Sequence, residues 1–331
     1  MTAASAGTRG PAVADAAGGG RGLHAFAVVL AVWTFGLLAA GGVVTGNEAG
    51  LAVPDWPLSY GRVNPPGWTV PRNIFVEHLH RLLGWAAGAM AIALAWWIQA
   101  RDPRPWMRRL GWAVLGAIVV QGVIGGYFRV VLLQHGMAVV HGVTGQAFFC
   151  LVVAAALFLS PGWRHAPPAE EDPAARRLRR LSLVAAVVLF LQVVLGALVR
   201  HSRLGHSVAH VAPHAALGLV AAGLALATLL ETTRARAARA ALLPPAVVLG
   251  AGAVLQVLLG LGAYLANTVG VQEIVRPLFQ VAATSVHQAV GAAVLAAAVV
   301  LHLRTRRLLR EPLPAAAPAP GGLAAVTGAA S

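Results

Sequence analysis

The sequence has a single cysteine, no lysine and few charged residues, which make up 11% of its 331 residues. Soluble globular proteins carry roughly 25% charged residues, so an ordinary soluble domain is excluded. The single cysteine, Cys150, excludes a scaffold of disulfide bonds within the chain. It lies inside a predicted helix, where packing is its expected role. The 58% of hydrophobic residues excludes a disordered chain. We expect no nucleic-acid partner, because the excess of arginine is not concentrated on a soluble domain.

Long hydrophobic runs make up most of the chain. A helix needs about 20 apolar residues to cross the hydrocarbon core of a bilayer, and eight runs are long enough. They cover residues 25–45, 76–99, 108–130, 136–159, 181–200, 208–230, 242–266 and 280–303. They do not alternate as transmembrane β-strands do. The sequence therefore predicts an all-α polytopic membrane protein with eight transmembrane helices in a lipid bilayer.

The arginines indicate the orientation of these helices. With the N-terminus placed in the cytoplasm, 18 of the 25 arginines fall on cytoplasmic segments and seven on outer loops or helix mouths. Cytoplasmic loops of membrane proteins carry an excess of positive charge. We therefore expect a multi-pass protein of a bacterial-type cell (inner) membrane with both termini cytoplasmic. Residues 1–24 and 306–331 are predicted tails, of which 1–22 and 312–331 are expected to lack regular structure.

A histidine followed four residues later by glycine opens every even-numbered predicted helix. The four pairs are His80/Gly84, His141/Gly145, His214/Gly218 and His287/Gly291. Three odd-numbered helices carry a glutamine and a glycine at the same spacing: Gln121/Gly125, Gln192/Gly196 and Gln256/Gly260. Such repeats indicate a duplicated unit. We predict two pseudosymmetric four-helix bundles, at 25–160 and 181–305, joined by a cytoplasmic linker at 161–180.

The four repeated histidines are predicted to lie within about two turns of the outer ends of their helices. Two such histidines on facing helices can ligate a haem iron from both sides, and glycine at i+4 would leave room for the macrocycle. The alternative is that these histidines only form hydrogen bonds across helices. Hydrogen bonding of that kind accounts adequately for the glutamines.

Three further histidines, His201, His206 and His210, crowd the predicted loop between the fifth and sixth helices. They could bind a metal, although a solvated cluster is the simpler interpretation. His210 precedes His214 by one turn and is a reserve ligand.

The two halves differ beside the first histidine of each. Glu77 precedes His80 by three residues, whereas Val211 holds that position before His214. An acid embedded in a membrane is a functional candidate, and Glu77 could accept or donate a proton beside a reacting ligand. The alternative is that Glu77 only pairs with Arg81 or Arg72 at the membrane surface.

The first outer loop, GGVVTGNEAGLAVPDWPLSYGRVNPPGW, is the longest one. Its prolines argue against a helix, and its aromatic residues suit a membrane interface. It could close over an outer-facing pocket of the first half or act as a surface anchor.

Together these residues resemble the haem A synthase family of the aerobic respiratory chain. The resemblance rests on VVTGNEAGLAVPDWPLSYG, EHLHRLLG, AVVHGVTG, HVAPHAALG and SVHQAVG, and it covers nearly all of residues 23–305. It implies an eight-helix bundle of two pseudosymmetric halves. It also implies an oxidoreductase that converts the C8 methyl of haem o to a formyl group, giving haem a for cytochrome oxidase.

The resemblance further implies site residues and partners. His214 and His287 would be axial ligands of a resident haem b, while His80 and His141 would bind the iron of the substrate, haem o. Glu77 matches the family's essential acid. The implied partners are a haem o synthase and an electron donor that the sequence does not identify. A homo-oligomer is compatible with faces of small residues such as Gly41 and Gly42.

The chain departs from many relatives of that family in its outer loops. Many of them carry cysteine pairs there, whereas this chain has none and carries Ser59 in its first loop. It therefore resembles a cysteine-poor subtype, for which a disulfide-dependent step is excluded.

Two other functions remain open from the residues alone. A dihaem b-type, quinone-linked electron carrier would use the same four histidines without modifying haem, and it would leave Glu77 without a role. A proton-coupled transporter would use the histidine and glutamate side chains and would give a colourless protein.

Overall fold

The computed structural model describes residues 11–202, 207–268 and 276–312, which are mostly helical. The elements are α1 (Pro11–Gly46), α2 (Arg72–Arg101), α3 (Pro105–Gly122), α4 (Met137–Leu159), α5 (Pro161–Arg164), β1 (Glu170–Glu171), α6 (Ala175–His201), α7 (Val208–Arg234), α8 (Arg239–Thr268), α9 (Arg276–Leu308) and β2 (Leu309–Arg310). A π-helical segment, Val123–Val131, continues α3. We call the end of the bundle that carries the loop 47–71 the loop end, and the opposite end the arginine-rich end.

Eight helices in the described ranges are long and apolar enough to cross a membrane. They are Gly20–Gly46, Arg72–Arg101, Pro105–Val131, Met137–Leu159, Ala175–His201, Val208–Arg234, Arg239–Thr268 and Leu278–Leu308. The predicted all-α polytopic membrane fold is confirmed. Most of these helices extend beyond the hydrophobic runs, because polar residues at their ends continue the helical hydrogen bonding. As α9 begins at Arg276, His287 lies about three turns inside it, so the predicted depth of two turns is wrong there.

The N-terminal segment is more regular than the sequence suggested. Since α1 begins at Pro11, the prediction that residues 1–22 lack regular structure is wrong from residue 11 onward. Alanine has the highest helix propensity, and proline is tolerated in the first helical turn. Residues 1–10 and 313–331, which include most of the predicted tails, lie outside the described residues.

Each half of the chain packs around its own core. The four helices α1 to α4 enclose a cluster that includes Leu94 and Met107, and α6 to α9 enclose one that includes Leu178 and Leu249. Consecutive long helices are neighbours within each half, and the last helix of each half contacts the first. Each half is therefore a closed four-helix bundle.

The two bundles meet through α1, α4, α6 and α9. At this junction Phe149 packs with Ala292 and Ala296, and the Phe35 and Phe149 ring centroids are 5.8 Å apart. Cys150 lies partly buried against the same cluster as a free thiol. Its surroundings agree with the packing role expected from the sequence.

The predicted linker is partly structured. Helix α6 begins at Ala175, inside the range predicted as linker. The short strand β1 pairs in parallel with β2, Glu170 opposite Leu309. Asp172 accepts hydrogen bonds from the backbone N–H groups of Arg236 and Ala237. The linker therefore joins the turn between α7 and α8 to the segment that follows α9.

A buried aspartate organises the arginine-rich end of the N-terminal bundle. Asp102 lies between α2 and α3, and its carboxylate pairs with Arg104 at 2.8 Å and Arg164 at 2.7 Å. Burial alone would raise the pKa of Asp102. Hydrogen bonds from Arg104 and the charges of both arginines outweigh burial and lower this pKa below its ordinary value of 3.8.

We expect Asp102→Asn to lower the free energy of unfolding by about 2 kcal/mol, because both guanidinium groups lose a buried anionic partner. Thermal or denaturant unfolding of the purified protein in detergent measures this loss. A carboxyl whose pKa is lowered on folding contributes stability above its unfolded pKa and loses it as the pH falls through the folded pKa. The difference between the two proteins should therefore shrink below about pH 4.

The matched control for Asp102 is Glu311→Gln, which removes the exposed ion pair between Arg176 and Glu311. Exposed pairs contribute little to stability, so this variant should unfold like the unmodified protein. Equal effects of the two substitutions would contradict the role given to Asp102.

Candidate functional site

The four repeated histidines come together as two pairs, one in each bundle. The ring centroids of His80 on α2 and His141 on α4 are 6.5 Å apart, with planes at 88°. Those of His214 on α7 and His287 on α9 are 6.2 Å apart, with planes at 84°. The pairs are the ones that the internal repeat predicts.

Each of these rings lies against a glycine of the preceding long helix. A β-carbon built on the glycine would lie 2.5–3.2 Å from Cε1 of the ring. The contacts are Gly41 with His80, Gly125 with His141, Gly196 with His214, and Gly260 with His287. At Gly125 and Gly196, where this distance is 2.5 and 2.9 Å, a side chain would displace the ring, whereas at Gly41 and Gly260, where it is 3.2 Å, a side chain would crowd the ring. We call these four glycines the histidine seats.

The repeated glutamines form hydrogen bonds between helices, as the sequence suggested. Gln192 and Gln256 donate to the backbone carbonyls of His214 and His287, both at 2.7 Å. In the N-terminal bundle Gln121 donates to Thr144 Oγ1 instead, also at 2.7 Å.

The glycines that follow the histidines at i+4 have different surroundings. A β-carbon on Gly218 or Gly291 would lie 3.0 Å from the amide nitrogen of Gln192 or Gln256. These two glycines therefore make room for a glutamine side chain, a role that the sequence did not indicate, while room for a macrocycle beside them stays a prediction. Only at Gly84, among the four, would a β-carbon meet no atom within 4 Å.

The geometry of each histidine pair fits an iron held by two imidazoles. A metal–imidazole bond of about 2 Å on each side, with roughly 1 Å from nitrogen to ring centre, gives about 6 Å between centroids. The Nδ1 atoms of all four rings are buried, with no hydrogen-bond partner among the described residues, although buried polar atoms normally have one. The same residues contain no group of three or more potential ligands for a metal ion bound by protein alone. A haem iron needs only two axial ligands, so the two pairs fit haem.

Glu77 is buried and joins α2 to the loop 47–71. Its Oε1 accepts a hydrogen bond from Arg81 Nη2 at 2.6 Å, and its Oε2 accepts one from the backbone N–H of Val53 at 3.1 Å. The ion pair that the sequence offered as the alternative role is therefore present, with Arg81 as the partner. Both carboxylate oxygens are engaged in holding the loop.

Arg81 binds the same loop through its backbone. The guanidinium group donates to the carbonyls of Val53 at 2.8 Å and Leu58 at 3.0 Å, and to that of Asp55. One helix residue thus fixes three loop carbonyls together with the Glu77 carboxylate.

His78, which has no place in the repeat, is a third anchor for the loop. It is buried, its Nδ1 lies 2.8 Å from Ser59 Oγ, and its ring centroid is 4.7 Å from that of Trp68. Sequence reasoning missed this residue. The signal that could have found it was its position directly after Glu77, at the start of the second predicted helix.

The loop also has an internal anchor at Asp55. The carboxylate accepts hydrogen bonds from the backbone N–H groups of Tyr60 at 2.7 Å and Gly61 at 2.8 Å. Burial would raise the pKa of Asp55, but these hydrogen bonds and the charge of Arg81 outweigh it and lower the pKa. Asp55 therefore stays ionised at neutral pH and fixes the turn at Tyr60 and Gly61.

Trp56 connects the loop to the π-helical segment that continues α3. Its indole lies against Gly126 so closely that a β-carbon there would overlap Nε1. Gly126 follows Gly125, the seat of His141, so two consecutive glycines of the π-helical segment accept Trp56 and His141. In the C-terminal bundle α8 stays α-helical to Thr268. The contacts favour a loop that closes over the N-terminal bundle rather than a surface anchor.

The remaining predicted histidine cluster consists of His201, His206 and His210. His210 Nε2 lies 2.7 Å from Ser202 Oγ, while His214 pairs with His287. A reserve ligand at His210 is therefore not needed. His206 lies outside the described residues.

Comparison with known proteins identifies the family. Residues 24–215 match the model of the cytochrome oxidase assembly protein family (COX15-CtaA). Three similar proteins are each named Heme A synthase. That of Rhizorhabdus wittichii is 28% identical over 55% of this chain and 60% of its own length. That of Novosphingobium aromaticivorans is 27% identical over 56% of this chain and 63% of its own length. That of Methylobacterium nodulans is 26% identical over 51% of this chain and 54% of its own length. The chain thus spans less than two thirds of each of these relatives. Because the family model covers more than half of the chain, from α1 to His214 on α7, the chain belongs to the cytochrome oxidase assembly protein family (COX15-CtaA).

Proposed function

We propose that this protein is a haem A synthase, an oxidoreductase that converts the C8 methyl of haem o to a formyl group and so supplies haem a to cytochrome oxidase. The observation that carries the proposal is the pair of facing imidazoles in each bundle, with centroids 6.5 Å and 6.2 Å apart. The names of the similar proteins support the same reaction.

The two bundles have different roles in this proposal. Haem b is held by His214 and His287 in the C-terminal bundle, and haem o is bound as substrate by His80 and His141 in the N-terminal bundle. The asymmetry of the halves supports this division, because the anchored loop and the π-helical segment belong to the N-terminal bundle. Val211 replaces Glu77 in the other half, as expected for a site that only carries electrons.

A methyl C–H bond is inert, and the bound haem supplies redox chemistry that side chains lack. In the family reaction two successive hydroxylations, each a two-electron oxidation that requires an external oxidant (dioxygen or an electron acceptor), give a geminal diol on the substrate, which loses water to leave the formyl group. This chain contributes substrate orientation through His80 and His141, and a loop over the site that keeps bulk water away from the reacting carbon.

Glu77 is proposed to act in this reaction through the loop. Since Arg81 and the Val53 N–H occupy both of its carboxylate oxygens, direct proton transfer would require the contact with Arg81 to open. Glu77 is therefore a positioning residue for the substrate site, with proton transfer as the alternative role.

The protein is a multi-pass membrane protein by its eight apolar helices. We propose that it lies in a bacterial inner membrane with both termini in the cytoplasm, which places the loop end at the outer face. Haem o would come from its own synthase, and the resident haem b would pass electrons between an external partner and the substrate.

The test of the function is expression in a host that makes haem o but has no other haem A synthase, followed by chromatography of the extracted haems. We expect haem a only when this chain is present. Purified protein should carry haem b together with haem o or haem a. Haem b alone, without haem a in the cells, would favour the dihaem electron carrier, and a colourless protein would overturn both haem functions.

A further inference from the structure

In one helix of each half, the repeated glutamine and glycine are followed four residues later by an arginine, which lies nearer the loop end. Arg129 follows Gly125 by four residues, and Arg200 follows Gly196 by four. The pattern Gln-x-x-x-Gly-x-x-x-Arg therefore occurs in the third and fifth spans. The other two spans that hold a histidine seat carry Thr45 and Tyr264 at the arginine position.

The two arginines lie beside the histidine pairs. Gly125 and Gly196 are the seats of His141 and His214, so each arginine lies about one turn beyond a seat. Arg129 is close enough to His141 for an electrostatic interaction. His201 interacts in this way with Arg129, Arg200 and His141. The two bundles thus contribute one arginine each to a cationic cluster at the loop end.

This cluster has unused capacity for an anion. Nη1 of Arg129 is buried and has no hydrogen-bond partner in the part of the chain that the structure describes. Arg200 is partly buried, and Glu48 interacts with it electrostatically. Burying a charged group without a partner is costly. A guanidinium group binds carboxylates through two parallel hydrogen bonds, so a carboxylate would satisfy the buried Nη1 of Arg129 and would add a second anionic partner to Arg200.

We propose that Arg129 and Arg200 bind the propionate carboxylates of the porphyrins, Arg129 in the N-terminal site and Arg200 in the C-terminal site. This inference rests on the proposed haem function. A porphyrin held only by two axial histidines can turn about the axis through its metal. A carboxylate anchored away from that axis prevents the turning.

The anchor has a specific consequence for the substrate. The C8 methyl and one propionate of haem o belong to the same pyrrole ring. A salt bridge at Arg129 therefore fixes the position of the reacting methyl group as well as that of the carboxylate. Arg129 is a positioning residue in this reaction, and the propionate edges of both porphyrins face the loop end.

The test uses the full-length protein, prepared without haem in detergent and titrated with haem b or with haem b dimethyl ester, in which both carboxylates are blocked. His287→Ala in every protein restricts binding to the N-terminal site, where haem b added in the titration stands in for haem o because both carry the same two propionates. In this background we expect Arg129→Gln to weaken haem b binding at least tenfold, the scale of one charge-assisted hydrogen bond. Binding of the ester should not change.

Two further variants complete the test. Arg72→Gln removes an exposed arginine at the start of α2 and should change neither affinity. Arg129→Lys keeps the charge and should keep the preference for haem b over its ester, so it carries the test if Arg129→Gln does not fold. The same comparison for Arg200 uses His80→Ala as background.

Two results would overturn the proposal in distinguishable ways. If the protein with Arg129 intact binds haem b and its ester equally, or if Arg129→Gln weakens both alike, the propionate assignment is wrong while haem binding stands. If neither compound binds to the unmodified protein, the proposed function fails as well.

Discussion

His214→Ala or His287→Ala is expected to remove the resident haem b from the purified protein. The two rings face each other across 6.2 Å, and each would supply one of the two axial bonds. The seats at Gly196 and Gly260 hold the backbone against the ring edges, and alanine supplies no ligand atom at either histidine position. Losing even an outer-shell partner of a metal ligand typically costs 10–100-fold in affinity, so haem b per protein should fall at least tenfold. Pyridine haemochrome spectra and the Soret band measure this.

Two matched variants show whether that loss is specific. His210→Ala removes a histidine one turn before His214 whose ring faces Ser202, and it should keep haem b. His80→Ala removes a ligand of the other bundle, and it should keep haem b but make no haem a. Retention of haem b in His214→Ala together with its loss in His210→Ala would show that the ligand assignment is wrong.

Glu77→Gln is expected to keep haem b but to lower haem a production at least tenfold. The amide loses the ion pair with Arg81 at 2.6 Å, a charge-assisted contact stronger than a neutral hydrogen bond. The loop is then held less firmly over the N-terminal bundle. Haem a and haem b in membranes of expressing cells are measured together by chromatography, so the amount of haem b in each sample is the reference for the amount of haem a.

Arg81→Gln separates the two roles of Glu77. If Glu77 acts through the loop, this variant should lower haem a production by a similar factor. Trypsin should also cleave both variants faster after Arg62, an exposed arginine within the loop. Arg72→Gln, just outside the loop, is the control for both measurements. Full haem a production by Arg81→Gln, with none by Glu77→Gln, would instead assign direct proton transfer to Glu77.

The fold and the histidine pairs followed from sequence periodicity. Eight apolar runs fixed the number of spans, and the spacing of His80, His141, His214 and His287 placed one histidine on each even-numbered span. Such a spacing indicates which face of a helix a residue occupies, but not what lies opposite it. For this reason the spacing predicts room for a macrocycle at Gly218 and Gly291 but does not indicate the glutamine side chains that lie against them.

The loop could not be predicted in the same way. Its prolines exclude a helix, yet they do not show that Trp56 reaches Gly126, because that contact depends on the π-helical segment at the end of α3. Nothing in the local sequence distinguishes a π-helical turn from an α-helical one. His78 was overlooked for a related reason, since its partners Ser59 and Trp68 come from the loop itself.

The junction between the bundles has a consequence for charge movement in the proposed reaction. Phe149, Ala292 and Ala296, with Phe35 beside them, form an apolar wall shared by the two halves. An apolar medium reorients little when charge moves across it, so a low reorganisation energy is expected for an electron that crosses the wall. A proton needs a chain of polar groups, which these four side chains do not supply. In the proposed reaction an electron is therefore expected to cross this wall, and a proton is expected to move through polar groups outside it.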